Sequence, residues 1–190
     1  MIVSLCGAQN SGKTTLLNDM KTLGFNAIEK NHARDALTQW NTTLEEVYTD
    51  PNKTVLFQEH ILREKIECER DFVDSEDLYL VDRSYIDLYV YALINLGRLN
   101  SFNGFINEYR VNCLEASKNH YATFYIFPHN NPIEKDGVRG VNKHYASMVN
   151  TVMYDECINF YNNSNFLFFN IKDSDKLKRA NILCEWLKNV

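Results

Sequence analysis

Nothing in this sequence marks it for a membrane, a disulfide framework or a passive hold on nucleic acid. No apolar run approaches the roughly 20 residues that a helical span needs. The five cysteines, Cys6, Cys68, Cys113, Cys157 and Cys184, are odd in number, scattered, and form no CxxC pair. They read as small apolar core residues in a reducing compartment, not as a zinc site. Basic charge is in deficit: 20 Lys and Arg stand against 25 Asp and Glu, a formal net charge of −5. Duplex binding relies on neutralising phosphates, so this balance argues against a nucleic-acid coat, while a local basic patch stays compatible with it. The first residues, Met1-Ile2-Val3-Ser4-Leu5, lack a basic n-region and run straight into a motif, unlike a signal peptide. No linker, repeat or low-complexity segment interrupts the chain. The expectation is one domain over residues 1–190, in the cytoplasm.

What is present alternates between two kinds of segment. Short aliphatic or aromatic runs at Ile2–Cys6, Phe25–Ile28, Leu78–Val81, Thr123–Phe127 and Phe166–Ile171 read as buried strands. Between them lie helical stripes. Tyr85, Leu88, Tyr89, Ala92, Leu93 and Leu96 recur at helical spacing, and Gly97 stands where a C′ glycine would end that helix. Further stripes are Phe102, Phe105, Ile106, Tyr109 and Cys113; Tyr145, Met148, Val149, Val152 and Met153; and Leu177, Ala180, Leu183 and Leu187. Val55, Leu62, Ile66 and Val73 mark one more helix. Five strands with helices on both faces make a three-layer α/β/α fold with a five-stranded parallel sheet.

Gly7-Ala8-Gln9-Asn10-Ser11-Gly12-Lys13-Thr14 matches GxxxxGK[ST], with a strand entering it and a helix over Lys13–Leu23 leaving it. Gly7 and Gly12 let the backbone wrap closely. The N–H groups of the loop, with Asn10, Ser11 and Thr15 in the phosphate-binding set, can then cradle phosphate oxygens at a helix N-terminus. Lys13 is a mobile cation that can follow the β- and γ-phosphates of ATP. The Thr14 hydroxyl can reach Mg²⁺.

Three weaker features separate a kinase from other nucleotide binders. Asp82 ends the strand Leu78–Val81 and falls at the ligand-binding edge of a parallel sheet. It can hold Mg²⁺ or take a proton from an acceptor hydroxyl; the alternative is a helix N-cap. Arg83 beside it can grip phosphate. Near 130–144, Asp136-Gly137-Val138-Arg139 with Lys135, Lys143 and His144 suits a lid that brings Arg139 onto the transferred phosphoryl group, the alternative being a solvated turn. Glu29 and Arg34, after the second strand, can bind an acceptor sugar hydroxyl and phosphate, or simply pair with each other. Gln58, Glu59, Tyr85 and Tyr89 are candidate walls of the acceptor pocket, although tyrosines at helical spacing are commonly core.

The motif order resembles a known family. P-loop, Ile28-Glu29…Ala33-Arg34, Phe57-Gln58…Ile61-Leu62, Val81-Asp82-Arg83-Ser84…Asp87…Tyr91-Ala92 and Asp136-Gly137-Val138-Arg139 resemble AAA-type stand-alone P-loop kinases. These are related to the ribosylnicotinamide-kinase domain of bacterial NAD regulators and are frequent in bacteriophages. Asp82-Arg83-Ser84 is also similar to the Asp-Arg pair of thymidylate and deoxynucleoside kinases. The resemblance implies strand order 2-3-1-4-5 and a nucleoside- or nucleotide-like acceptor. Members of the family act on nicotinamide riboside, deoxynucleoside monophosphates, or hydroxymethyl pyrimidines in DNA. Two departures stand out: Arg139 is the only arginine in the lid-like segment, and there is no nucleotidyltransferase domain. The leading expectation is an ATP- and Mg²⁺-dependent deoxynucleoside monophosphate kinase, with a homodimer left open. The alternatives are a kinase of the other two acceptors, DNA being a partner in one case, or a P-loop ATPase or nucleotide sensor with no small-molecule acceptor.

Overall fold

Five residues with no exposed surface, Ile2–Cys6, form β1, and the sheet is built around them. The structure, a computed structural model, describes residues 1–128, 142–162 and 167–189. A strand buried on both faces needs a near-continuous apolar run, as parallel sheets do. Ser4 is the polar exception in β1, and its Oγ lies 2.8 Å from Thr123 Oγ1. The other strands are β2 (Asn26–Ile28), β3 (Tyr79–Asp82), β4 (His120–Ile126) and β5 (Leu167–Ile171). All pairs are parallel and the order is β2-β3-β1-β4-β5, the order that the resemblance implies. Phe166, read above as the start of the last strand, lies outside the described residues.

Alternation along β1 sorts the helices into two layers. Val3 and Leu5 face α1 (Lys13–Thr22) and α8 (Lys176–Leu187), through Leu16, Leu17, Met20, Ala180 and Leu183. Cys6 faces the opposite layer. There α4 (Pro51–Val73), α5 (Tyr85–Leu96), α6 (Asn103–Ser117) and α7 (Lys143–Asn162) bury Phe57, Ile61, Leu88, Tyr109, Val149 and Met153. Each such side chain contributes about 1.5–3 kcal/mol by leaving water.

Two short helices escape the sequence reading, α2 (His32–Gln39) and α3 (Leu44–Thr49). They lack a long apolar stripe and are announced only by their caps. Asn31 caps α2, and Thr43 with Glu46 forms a capping box on α3. Three stripes are also corrected. Leu177 and Met148 are 76% and 46% exposed, so the inward faces of α8 and α7 exclude them. Gly97 ends α5 in right-handed geometry (φ −63°), not as a left-handed C′ residue. A Cβ there would meet the Leu93 carbonyl oxygen at 2.5 Å.

The third correction concerns α4, whose inward face is Thr54, Phe57, Gln58, Ile61, Leu62, Lys65 and Glu69, with Ile66 turned outward. Polar residues turn in because they find one another. Lys65 donates to Glu69 Oε1 at 2.5 Å, Tyr85 donates to Oε2 at 2.7 Å, and His120 Nε2 lies 2.9 Å from the same oxygen. All four residues are at most 3% exposed. Burial alone would raise the Glu69 carboxyl. Lys65 and His120 outweigh it and hold the group well below the ordinary carboxylate range.

Removing one member strands the others. Glu69→Ala should cost about 3–5 kcal/mol in urea denaturation, because Lys65 is left as a buried unpaired charge. The sign of the pH effect is fixed by a depressed carboxylate. Its stabilisation is complete above the ordinary carboxylate pKa and is lost as pH falls through the lower folded value. Glu69→Gln should therefore flatten that acid limb, measured as the denaturation midpoint against pH.

Candidate active site

Pairing of β1 with β3 sets Leu5 beside Asp82, so the loop after β1 and the carboxylate ending β3 emerge together. The loop turns through left-handed backbone at Gly7 (φ +145°) and Gly12 (φ +90°). A Cβ on Gly7 would stand 2.5 Å from the Ile126 carbonyl oxygen, so only glycine fits there. α1 begins at Lys13 with no side-chain cap, which leaves its first N–H groups for another acceptor.

Lys13 is not the mobile surface cation that its position suggests. It is 5% exposed, and its ammonium donates to Gly7 O at 2.6 Å, Ala8 O at 2.9 Å and Ser11 Oγ at 3.2 Å. Burial, then the nearby Arg83 charge, push its pKa down, against Asp87 and Asp82, which push it up. Thr14 Oγ1 donates to Asp82 Oδ2 at 2.5 Å, while Asp82 Oδ1 is buried without a hydrogen bond. A hydroxyl and a carboxylate at one point are hard oxygen donors of the kind Mg²⁺ takes alongside phosphate oxygens.

Asp82 does not cap α5; Ser84 does, in a capping box with Asp87. Asp87 is fully buried, and the sequence shows only its place in the motif. Its Oδ2 accepts from Ser84 N at 2.9 Å and Ser84 Oγ at 2.8 Å. Its Oδ1 accepts from Gly7 N at 3.4 Å and lies 3.7 Å from Arg83 Nη1. One carboxylate thus joins the phosphate loop to the turn after β3. Arg83 sits in that turn at φ +76°, a strained value for a residue with a Cβ, and stacks over Tyr91 at 5.3 Å.

A cleft opens from residues 9–15 to Asp82 and Arg83. Its far wall is Arg34, Tyr48, Phe57, Gln58, Leu88 and Tyr91. A second pocket adjoins it through Thr14, Asp82, Arg83 and Leu88, and adds Glu29, His32 and Lys65. Among the described residues, Gln58 Nε2, Asp82 Oδ1, Tyr91 OH and both ring nitrogens of His32 are buried without hydrogen bonds, as is His120 Nδ1 in the Glu69 cluster, while Arg83 Nη1 has its ion pair with Asp87. Burial, reinforced by Lys65 and Lys30, lowers the His32 pKa to about 4 and keeps the ring neutral.

The structure brings the phosphate loop, Asp82, Arg83, Gln58 and Arg34 to one cleft. Glu29 is exposed and its carboxylate pairs with Lys21, at the margin of the second pocket. Tyr85 and Tyr89 lie elsewhere: Tyr85 is in the Glu69 network, and Tyr89 is buried beneath Arg110. Glu59 lines a groove between α4 and α6. Tyr48 and Tyr91 take the wall position instead. Tyr91 is six residues beyond Tyr85 on α5, about 120° round the helix, and so stands on a different face. Arg139 and the segment 129–141 lie outside the described residues.

Sheet order, glycine-bounded loop and Thr14–Asp82 pair together define a nucleotide-binding protein of the P-loop kinase fold. Residues 2–176 match the AAA domain family (AAA_28), and the chain belongs to that family. No curated protein matches the sequence. Among solved structures, deoxyadenosine kinase from M. mycoides with bound dCTP is similar over 100% of both chains, with a TM-score of 0.71 and 15% identity. NadR protein in complex with NR gives a TM-score of 0.70 at 14% identity, over 98% of this chain and 51% of that one. Shikimate kinase from Acinetobacter baumannii, in complex with shikimate, gives 0.57 at 11% identity, over 99% and 93%. At such identities the likeness is one of fold. Among the described residues no helix is long and apolar enough to cross a membrane.

Asp87→Ala leaves Ser84 N, Gly7 N and Arg83 without their shared acceptor, and should cost on the order of 3 kcal/mol in denaturant unfolding. Ser84→Ala, which removes the cap and leaves the carboxylate, should cost only about 1 kcal/mol.

Proposed function

We propose that this protein is an ATP- and Mg²⁺-dependent kinase with a nucleoside-like acceptor, a deoxynucleoside monophosphate being the leading substrate. One observation carries the reading: buried polar groups from β3, α2, α4 and α5 that have no hydrogen bond among the described residues line the cleft beside the phosphate loop and the pocket adjoining it. Orphaned groups of this kind are costly, and they persist where a ligand completes them. An ATPase or sensor with no acceptor gives Gln58, Tyr91 and His32 nothing to bind.

The groups divide by chemistry. Gln58 Nε2 is a buried donor among Phe57, Ile61 and Tyr48, suited to a base carbonyl or ring nitrogen. Arg83 and Arg34 supply guanidinium forks for an acceptor phosphate. Gly7–Thr15 takes the donor triphosphate. Thr14 and Asp82 would hold magnesium, which neutralises charge on the β- and γ-phosphates when bound. In transfer, an acceptor oxygen bonds to the γ-phosphorus as the bond to the leaving ADP oxygen breaks. Where the acceptor is a hydroxyl, Asp82 Oδ1 is placed to receive its proton. Arg139 enters from its sequence position alone, as a guanidinium for the developing charge.

ADP release with ATP and Mg²⁺ tests the reading directly. The acceptors to compare are deoxynucleosides, their monophosphates, nicotinamide riboside, shikimate and hydroxymethylated DNA. Acceptor-dependent ADP release is expected with a deoxynucleoside monophosphate, and release that ignores every acceptor would defeat the proposal. Asp82→Asn should lower turnover by at least about a hundredfold while ATP affinity changes far less, since proton and metal interactions strengthen in the transition state. Gln58→Leu should raise the acceptor KM about tenfold or more with the ATP KM unchanged, the sign of a lost base contact.

A further inference from the structure

The phosphate loop is gripped from behind by a residue with no part in the cleft. Arg179 lies in the first turn of α8 and is 3% exposed. Its guanidinium reaches three carbonyl oxygens on three different connections. Nη1 donates to Ser11 O at 2.6 Å, Nη2 to Phe127 O at 2.7 Å, and Nε to Asp173 O at 2.5 Å. Those carbonyls follow β1, β4 and β5, so one planar group ties three adjacent strand ends. Gly12 packs directly against it: a Cβ there would stand 3.1 Å from Nη1.

The bond to Ser11 has a consequence for the loop. In a trans peptide the C=O and the following N–H point in opposite directions. Holding Ser11 O on Arg179 therefore turns the Gly12 N–H away from the guanidinium. Free rotation of that peptide plane would otherwise be wide, because Gly12 has no Cβ. The guanidinium also places a buried positive charge behind the nest of N–H groups, bonded to carbonyls and to Ser11 across 168 positions of chain. Burial works against this charge and Asp173 supports it.

We infer that Arg179 is a positioning residue for the donor triphosphate: it presets the Ser11–Gly12 peptide and charges the floor of the phosphate loop without touching the ligand. The inference rests on the P-loop reading above and adds that triphosphate affinity is set partly from α8. A planar fork is required, because a lysine ammonium is a point charge that cannot span three carbonyls at fixed angles.

The test is calorimetric titration of wild type, Arg179→Met and Arg179→Lys with Mg·ATP, inorganic tripolyphosphate and adenosine, each variant first checked by circular dichroism and thermal melting. Arg179→Met should weaken ATP and tripolyphosphate alike, by about tenfold or more, as expected for a lost network of hydrogen bonds to a charged group. Adenosine affinity should stay within twofold or so, since it carries no phosphate. Arg179→Lys should fold and lie between the two, and it decides the matter should the methionine variant not fold. Wild-type tripolyphosphate affinity in a folded variant would overturn the inference. So would an equal loss of adenosine and tripolyphosphate binding, which marks a purely structural role. Failure of the wild type to bind ATP or tripolyphosphate would instead overturn the P-loop reading itself.

Discussion

The register of β1 on β3 is the constraint from which the rest of the site follows. Leu5 opposite Asp82 brings the end of one strand, and so the glycine turn at Gly7, level with the last carboxylate of its neighbour. A slip of one residue would turn Asp82 to the opposite face of the sheet and send Val81 toward Thr14. The register is protected by burial on both faces: Ile2, Val3, Leu5, Cys6, Leu80 and Val81 are each no more than 1% exposed. Strand and site are thus stabilised by the same side chains, although only the carboxylate meets the cleft.

Asp87 and Arg179 extend that constraint outward from the loop. Asp87 ties the loop's first residue to the turn carrying Arg83, on the β3 side. Arg179 ties its middle to the ends of β4 and β5, on the other side. The loop is held between a buried anion and a buried cation, with Lys13 folded beneath it onto its own carbonyls. Such an arrangement loses little order when a phosphate binds, because the backbone donors are aimed beforehand.

Legibility in the sequence followed the range of the interaction. The phosphate loop was fully legible, since its spacing encodes a local backbone path. Asp82 was legible as a carboxylate closing an apolar run. The five strands were legible as runs, although their ends moved: β4 begins at His120, ahead of the expected Thr123. Arg179 carries no signal beside Leu177 and Lys178, because its partners lie in the connections that follow β1, β4 and β5. The face of α4 departs from its apolar pattern for a related reason: Lys65 and Glu69 turn in because Tyr85 and His120, from α5 and β4, complete them. Pattern rules price a charge as solvated and see no partner 51 residues away.

The unpartnered groups in the cleft are where that logic reverses. In the Glu69 cluster both carboxylate oxygens and the Lys65 ammonium find internal partners, and among the described residues one atom, His120 Nδ1, is left without a hydrogen bond. Across Gln58, Tyr91, Asp82 and His32 the sequence places equally buried polar atoms that have no hydrogen bond among the described residues. Each such atom costs about 1–3 kcal/mol in the folded chain, so together they oppose folding by a sizeable share of a domain's net stability. Replacing them with apolar residues of similar shape would relieve that cost. Arg83 adds backbone strain at φ +76°, against a glycine that would adopt it freely. Cost concentrated at one cleft, beside a loop shaped for phosphate, is recovered only by a ligand that supplies matching donors, acceptors and negative charge. A phosphorylated nucleoside, the acceptor class proposed above, carries all three, and among the described residues the loop, Arg34 and Arg83 set positive charge along that cleft.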